Sequence, residues 1–219
     1  MASMATTRQV RSGPAIGSWI SLPPPSGKAA FPLEKAIALR RSTRAFLRTP
    51  IAIMQVSQLL WAAQGTTGKE RGFRSVPSAG ALYPLEVYLV VRENGVEELA
   101  AGVYHYEPSK HRMKKIRDGD HMGKLQEAAL GQESIGMSAI CIVISAVFSR
   151  TTPKYGKRGL QYVHQELGAA AENVYLQATA LGLGTVIMGA FTESAVSKTV
   201  GIGSDEVPLC LLPIGVPQP

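Results

Sequence analysis

The order of apolar patterns along this chain predicts an α+β fold, and three observations carry the reading. Ala139 to Phe148 is a continuous apolar run whose length and β-branching suit a central strand covered on both faces. Leu160 to Leu181 reads as the longest helix. Its apolar residues Leu160, Val163, Leu167, Ala170, Ala171, Val174, Ala178 and Leu181 advance by threes and fours, and at 1.5 Å per residue it spans roughly 33 Å. Elsewhere helices and strands mix without strict βαβ alternation, which favours layers of helix and sheet over a doubly wound sheet.

The remaining elements follow in order. Residues 1 to 31 are small, polar and Pro-rich, including Pro23-Pro24-Pro25-Ser26-Gly27, and form no regular element on their own. They are an N-terminal arm, with Trp19, Ile20 and Leu22 available to pack over the domain or a partner subunit, and residues 32–219 are the domain proper. Pro32 opens a first helix over Leu33 to Leu39, because its missing N–H costs little at an early helical position. Arg40 to Arg44 closes that helix. Val56 to Gln64 is a second helix stopped by Gly65, and a polar, Gly-rich loop runs on through Arg74. Val87 to Val91 and Val103 to Tyr106 are strands, separated by a loop containing Asn94-Gly95. Met122 to Ala129 is helical. After the long helix, ended by Gly182 and Gly184, come strand candidates Thr185 to Phe191 and Leu209 to Ile214 with a helix over Ser194 to Val200 between them.

Composition narrows the function. The chain has 219 residues, 45% of them hydrophobic and 18% charged, which is enough for one sizeable core. A net charge of +7 favours acidic partners, but Lys and Arg are dispersed and not interleaved with aromatics, so the surface reads as a solvated basic one and not a nucleic-acid track. Cys141 and Cys210 sit inside apolar stretches as buried small hydrophobes, which fits a reducing compartment. No apolar run reaches the roughly 20 residues a membrane span needs, and the first residues lack the apolar core of a signal peptide; the expectation is cytoplasmic. His105, His111, His121 and His164 show no ligand-like pairing, so no metal site is expected.

Four segments carry candidate chemistry. Arg40-Arg41-Ser42-Thr43-Arg44 places three guanidinium groups within five residues, enough to grip a phosphate dianion and the electron-rich edge of a planar ring; the plainer reading is cations complementing a helix C-terminus. Pro77-Ser78-Ala79-Gly80-Ala81-Leu82-Tyr83-Pro84 is either a Pro-flanked surface turn or a bend of small residues that lets backbone approach a flat ligand. Gly182-Leu183-Gly184 followed by Met188-Gly189-Ala190-Phe191 matches neither Rossmann nor P-loop spacing and is at its simplest a helix end and a strand glycine. Lys154-Tyr155-Gly156-Lys157-Arg158-Gly159, leading to Tyr162 and Glu166, is a basic loop entering a helix. An ammonium beside a phenol stabilises the phenolate, but neighbours in an extended strand face opposite sides, so Lys154 and Tyr155 must lie in a loop to act together. Glu172-Asn173 reads as an ordinary polar helix face.

Taken together, and in their chain order from about Leu33 to Pro217, the motifs resemble the flavin mononucleotide signature of the nitroreductase superfamily, and the Ser-Ala-Gly-Ala-Leu-Tyr-Pro form is most similar to its SagB-type dehydrogenase branch. The resemblance implies an FMN-dependent nitroreductase-like fold, a central mixed sheet flanked by helices, built as a homodimer with FMN between subunits. It implies cofactor contacts from Arg40, Arg41, Ser42 and Arg44 to the phosphate, ribityl and N1/O2 edge, from Pro77, Ser78, Ala79, Gly80 and Leu82 of the second subunit, and from Gly184, Met188 and Gly189 near N5 and O4. It implies Lys154 and Tyr155 as the catalytic pair of enzymes that oxidise thiazolines or oxazolines in modified peptides, a substrate that a partner cyclodehydratase would deliver. The alternatives are a stand-alone NAD(P)H-dependent nitro or quinone reductase and a non-catalytic flavin-binding protein. Two departures stand out: Ala81 occupies a position where asparagine is common, and the C-terminus has no late Lys or Arg for the phosphate, leaving that role to the arginine cluster or to Arg150, Lys157 or Arg158.

Overall fold

The computed structural model describes residues 14–28, 31–68 and 72–219. Its strands are β1 (Trp19–Ser21), β2 (Phe46–Leu47), β3 (Thr66–Gly68), β4 (Phe73–Arg74), β5 (Leu85–Val91), β6 (Gly102–Glu107), β7 (Arg112–Asp118), β8 (Ile140–Ala146), β9 (Gly184–Thr185) and β10 (Val207–Pro217). Its helices are α1 (Leu33–Leu39), α2 (Ile53–Gln64), α3 (Met122–Ala128), α4 (Glu133–Met137), α5 (Thr152–Tyr155), α6 (Arg158–Ala180) and α7 (Glu193–Val200). Residues 1–13, 29 and 30 of the expected arm lie outside the described residues.

β8 is the spine of the sheet, which runs β1-β7-β6-β5-β8-β10-β2 with β9 paired to β10. All seven β8 residues are buried because both faces of the sheet are covered. Alternate side chains divide between two apolar cores: Ile140, Ile142 and Ile144, with Val87, Leu89 and Val91 of β5, meet α2 and α6, while Cys141, Val143, Tyr88 and Val90 meet the layer of α3 and α7. Each buried Ile or Val is worth about 1.5–3 kcal/mol of transfer free energy, which explains why this stretch carries no polar residue until Ser145. The layered α+β arrangement is as expected. The sheet, expected to be mixed, is antiparallel between its named strands, and among the described residues parallel pairing is confined to the isolated bridges Ser42–Thr185 and Ile51–Val96.

Other differences have local causes. The arm does contain a strand, because β1 borrows its hydrogen bonds from β7, with Trp19 opposite Lys114 and the Arg112 guanidinium 3.7 Å from its ring centroid. β7 itself, Arg-Met-Lys-Lys-Ile-Arg-Asp, hides its period behind cations: Met113 and Lys115 are both buried, the latter by pairing its ammonium with Asp118. α2 begins three residues before Val56, since the Ala52 N–H donates to Gln55 Oε1 at 2.9 Å and closes the first turn. The Gly-rich stretch after it is not all loop, as β3 and β4 pair there. The strand expected over Thr185 to Phe191 shrinks to β9; beyond it Ile187 donates to a side chain and Met188 makes a single bridge to Leu211.

Candidate functional site

The arginine segment leaves α1 at Arg40, whose N–H still bonds the Ala36 carbonyl at 2.9 Å. It is then drawn onto β9. Thr43 donates to the Thr185 carbonyl at 2.9 Å, Ser42 bridges Thr185 in parallel, and a Cβ on Gly184 would stand 2.6 Å from that of Thr43. Only glycine allows this approach. Tyr175 of α6 fastens the junction: its hydroxyl accepts the Ile187 N–H at 2.8 Å and lies 3.1 Å from Ser42 Oγ, with the Arg40 guanidinium 5.2 Å from its ring centroid. Arg40 Nε also lies 3.8 Å from Glu172 Oε1. Arg41 is exposed and donates only to the local carbonyls of Ala38 and Arg40, at 3.0 and 2.8 Å. Arg44 is exposed and makes no hydrogen bond or ion pair among the described residues. Donors this uncommitted at a helix end fit an anionic phosphate.

A second cluster forms around the Pro77 to Pro84 bend. Gly80 at φ +63°, Ala81 at +54° and Tyr83 at +46° are all left-handed, a costly backbone for the two that are not glycine. Contacts at Tyr83 help to hold it: its N–H donates to Ser78 Oγ at 2.9 Å, Arg150 donates to its carbonyl at 3.1 Å, and the Arg74 guanidinium lies 4.5 Å from its ring centroid. Lys154 and Tyr155 converge on the same turn. A Cβ on Gly80 would stand 2.7 Å from Tyr155 Oη and 2.8 Å from Lys154 Nζ. The pair lies not in the expected loop but in the single turn of α5, where helical side chains one residue apart can both reach one backbone segment. Here Lys154 is exposed and Tyr155 half-buried.

Buried charge supports this bend from below. Glu166 of α6 accepts from Gln64 Nε2 at 3.3 Å and hydrogen-bonds the Ser78 hydroxyl, and Gln64 in turn accepts from Arg74 at 3.0 Å. Burial pushes the Glu166 carboxyl above the usual carboxylate range, against the pull of Ser78, Gln64 and Arg74. Glu86 goes the other way. Burial alone would raise it, but hydrogen bonds from His105 at 2.8 Å and Arg150 at 2.6 Å hold it below its ordinary value.

Some expected donors are engaged elsewhere. Met188 is buried in the second core and exchanges backbone hydrogen bonds with Leu211, so its N–H is not free to face a ring. Gly184 packs on Thr43. Gly189 is exposed. Of the spare bases, Arg150 is tied to Glu86 and Tyr83. Asn173, read as a polar helix face, instead donates to the Ala62 and Ser75 carbonyls at 3.2 and 3.1 Å and ties α6 to the segment entering the bend. Tyr175 is the residue that sequence reasoning missed. It lies on the apolar stripe with Ala171 and Ala178, and a tyrosine in such a place needs a partner for its hydroxyl.

The two clusters are not joined directly: no hydrogen bond, ion pair or ring contact links the arginine segment to the Pro77 to Pro84 bend among the described residues. Both hang from α6, through Tyr175 and Glu166, nine residues or about 14 Å apart along its axis. Among the described residues no group of three His, Cys, Asp or Glu is placed to hold a metal ion, and no helix is long and apolar enough to cross a membrane.

A layered α+β domain with a cationic helix end sealed onto a short strand defines an oxidoreductase-type class of protein once its relatives are considered. Residues 37–216 match the Nitroreductase family, and the chain belongs to that family. It is 47% identical over 184 residues to a candidate nitroreductase of Methanocaldococcus jannaschii, covering 84% of this chain and 90% of that one. A solved structure of a candidate nitroreductase from Ralstonia eutropha superposes with a TM-score of 0.80 at 30% identity, covering 94% of each chain. The Microcin B17-processing protein McbC of Escherichia coli is 28% identical over 158 residues, 71% of this chain and 58% of its own length.

Proposed function

We propose that the protein is an FMN-dependent oxidoreductase that takes a hydride from NAD(P)H and passes electrons to nitro compounds, quinones or similar acceptors. The observation that carries this reading is the Arg40 to Arg44 segment, with Arg41 and Arg44 free of side-chain partners among the described residues, held against β9 by Tyr175. The 47% identity to a candidate nitroreductase over most of both chains supports it. FMN, when bound, supplies the two-electron acceptor and donor that none of the twenty side chains provides. Arg41 and Arg44 would neutralise its phosphate, Ser42 would meet the ribityl chain, and a guanidinium beside the ring would favour its reduced, more negative form.

The second half of the site would come from a second copy. Since the Pro77 to Leu82 bend and the arginine segment sit apart on one helix, a homodimer that apposes them would line one flavin with both. The exposed Leu33 and Ile37 of α1 and Met54 of α2 are apolar surface for such an interface. The test is the visible spectrum of the purified protein, before and after anaerobic NADPH, with its mass in solution. Expected are a flavin spectrum that bleaches, a dimer, and NADPH consumption accelerated by menadione or nitrofurazone. A colourless monomer that takes up no FMN overturns the reading, and tight FMN retention without turnover of any donor leaves a flavin-binding protein.

A second reading has its own observation, the convergence of Lys154 Nζ and Tyr155 Oη on Gly80. Under it Tyr155 takes the α-proton of a thiazoline or oxazoline while Lys154 steadies the phenolate, and a cyclodehydratase delivers the modified peptide; the likeness to McbC, named for microcin processing, is its support. Tyr155→Phe should then abolish azoline oxidation with flavin still bound. Normal azoline turnover by that variant overturns it.

A further inference from the structure

We infer that the face of the sheet opposite α6 carries a second small-molecule site, one that takes a phosphomonoester. A cavity of about 580 Å3 opens between α3 and α7 and is lined by Arg117, His121, Lys124, Glu127, Thr192 and Lys198. Three fixed cations face one carboxylate, so the cavity carries two positive charges in excess while His121 is neutral, the complement of a phosphate dianion. Neither the Arg40 to Arg44 segment nor the Pro77 to Pro84 bend contributes to it.

The pocket is built, and not merely basic. The Thr192 N–H donates to the Ala128 carbonyl at 2.8 Å and locks the start of α7 to the end of α3. Gly201, left-handed at φ +81° where α7 ends, would carry a Cβ 3.0 Å from Arg117 Nε, so the missing side chain leaves room for the guanidinium. Arg117 Nε and His121 Nδ1 are both buried without a hydrogen-bond partner. Native structures seldom leave such atoms without a ligand or water to meet them. The two are chemically complementary. Arg117, which lines the cavity, carries a guanidinium able to donate to a phosphate oxygen. His121 Nε2 donates to the Asp118 carbonyl at 3.0 Å, which leaves Nδ1 as an acceptor for a hydroxyl of the ester's organic body. Lys124 and Lys198 stand at the exposed rim. The volume exceeds what a bare phosphate fills and falls among small-molecule sites of about 300–1,000 Å3, and Ala128 and Ala195 give it an apolar wall for an organic body.

The test is calorimetric titration of FMN-saturated protein, at fixed ionic strength, with AMP, ribose 5-phosphate, glycerol 3-phosphate, inorganic phosphate and adenosine. FMN saturation keeps the arginine segment out of the measurement. Expected is one site per chain for at least one monoester, weaker binding of inorganic phosphate and none of adenosine. The Lys124→Gln/Lys198→Gln variant, altered only at exposed side chains, should bind that monoester about tenfold more weakly or worse, with unchanged flavin spectrum and thermal midpoint. Lys110→Gln, exposed elsewhere, should bind as the parent does. The inference is overturned if no monoester binds at about 10 mM, a Kd beyond which about 3 kcal/mol of standard binding free energy is not reached, or if the double variant binds normally. Equal affinity for inorganic phosphate and every monoester overturns the monoester assignment in favour of free phosphate.

Discussion

Ser42 Oγ and the Tyr175 hydroxyl lie 3.1 Å apart, and the same hydroxyl accepts the Ile187 N–H at 2.8 Å. One phenol thus fixes both the arginine segment and the strand end beside it. Tyr175→Phe keeps the ring and removes both bonds. It should cost about 1–2 kcal/mol, lowering the thermal midpoint by about 2–4 °C per kcal/mol, and should loosen FMN more than it slows NADPH oxidation at saturating FMN. Calorimetry and fluorimetric FMN titration measure the two effects separately.

Arg44 has no hydrogen bond or ion pair to lose among the described residues. Because no partner is broken, Arg44→Gln should leave stability within about 0.5 kcal/mol of the parent. FMN affinity should fall by about tenfold or more, the worth of one charge-assisted hydrogen bond of about 1.5–3 kcal/mol. Arg150→Gln makes the opposite test: it leaves Glu86 with His105 alone and strips the Tyr83 carbonyl of its donor, so stability should drop while FMN affinity changes less.

Gly80 separates backbone strain from chemistry. Gly80→Ala puts a methyl into the left-handed turn, at about 1–2 kcal/mol, and drives Tyr155 Oη and Lys154 Nζ from positions 2.7 and 2.8 Å away. These are the far ends of flexible side chains, so the fold should survive. Any reaction that uses the pair should slow by about tenfold or more, with FMN retained; steady-state kinetics beside the flavin spectrum would show it.

Glu166 gives a pH dependence of definite sign. Its carboxyl is raised in the folded state by burial, so its contribution to stability is full below the unfolded carboxylate range and is lost as pH rises through the higher folded value. Glu166→Gln removes that titration while keeping an acceptor for Gln64. Urea midpoints should therefore favour the variant at pH 8 and converge or cross as pH falls towards about 4.3, the ordinary glutamate value. Glu166→Ala, which strands Gln64 and Ser78, should be less stable than the parent throughout.

Much of this was legible in the primary structure. The β8 run, the α6 stripe and the order of the four motifs follow from local periodicity and composition, and local rules are what a sequence displays directly. β7 was hidden because Lys115 is buried in a strand of cations, a placement that only its pairing with Asp118 makes tolerable. The end of β9 was overestimated because Val186 to Phe191 is apolar enough for a strand, yet the Ile187 N–H is taken by Tyr175, a contact twelve residues away.

By itself the sequence determined the layers, the helix that ends in guanidinium groups, and the small-residue bend, since each depends on residues close together in the chain. Tertiary structure alone decided that Tyr175 seals the arginine segment to β9, that Lys154 and Tyr155 meet at Gly80, and that Met188 turns inward to Leu211. Those outcomes depend on pairings across tens of residues. Hydrogen-bond satisfaction and packing choose among them only when the sheet and α6 are in place.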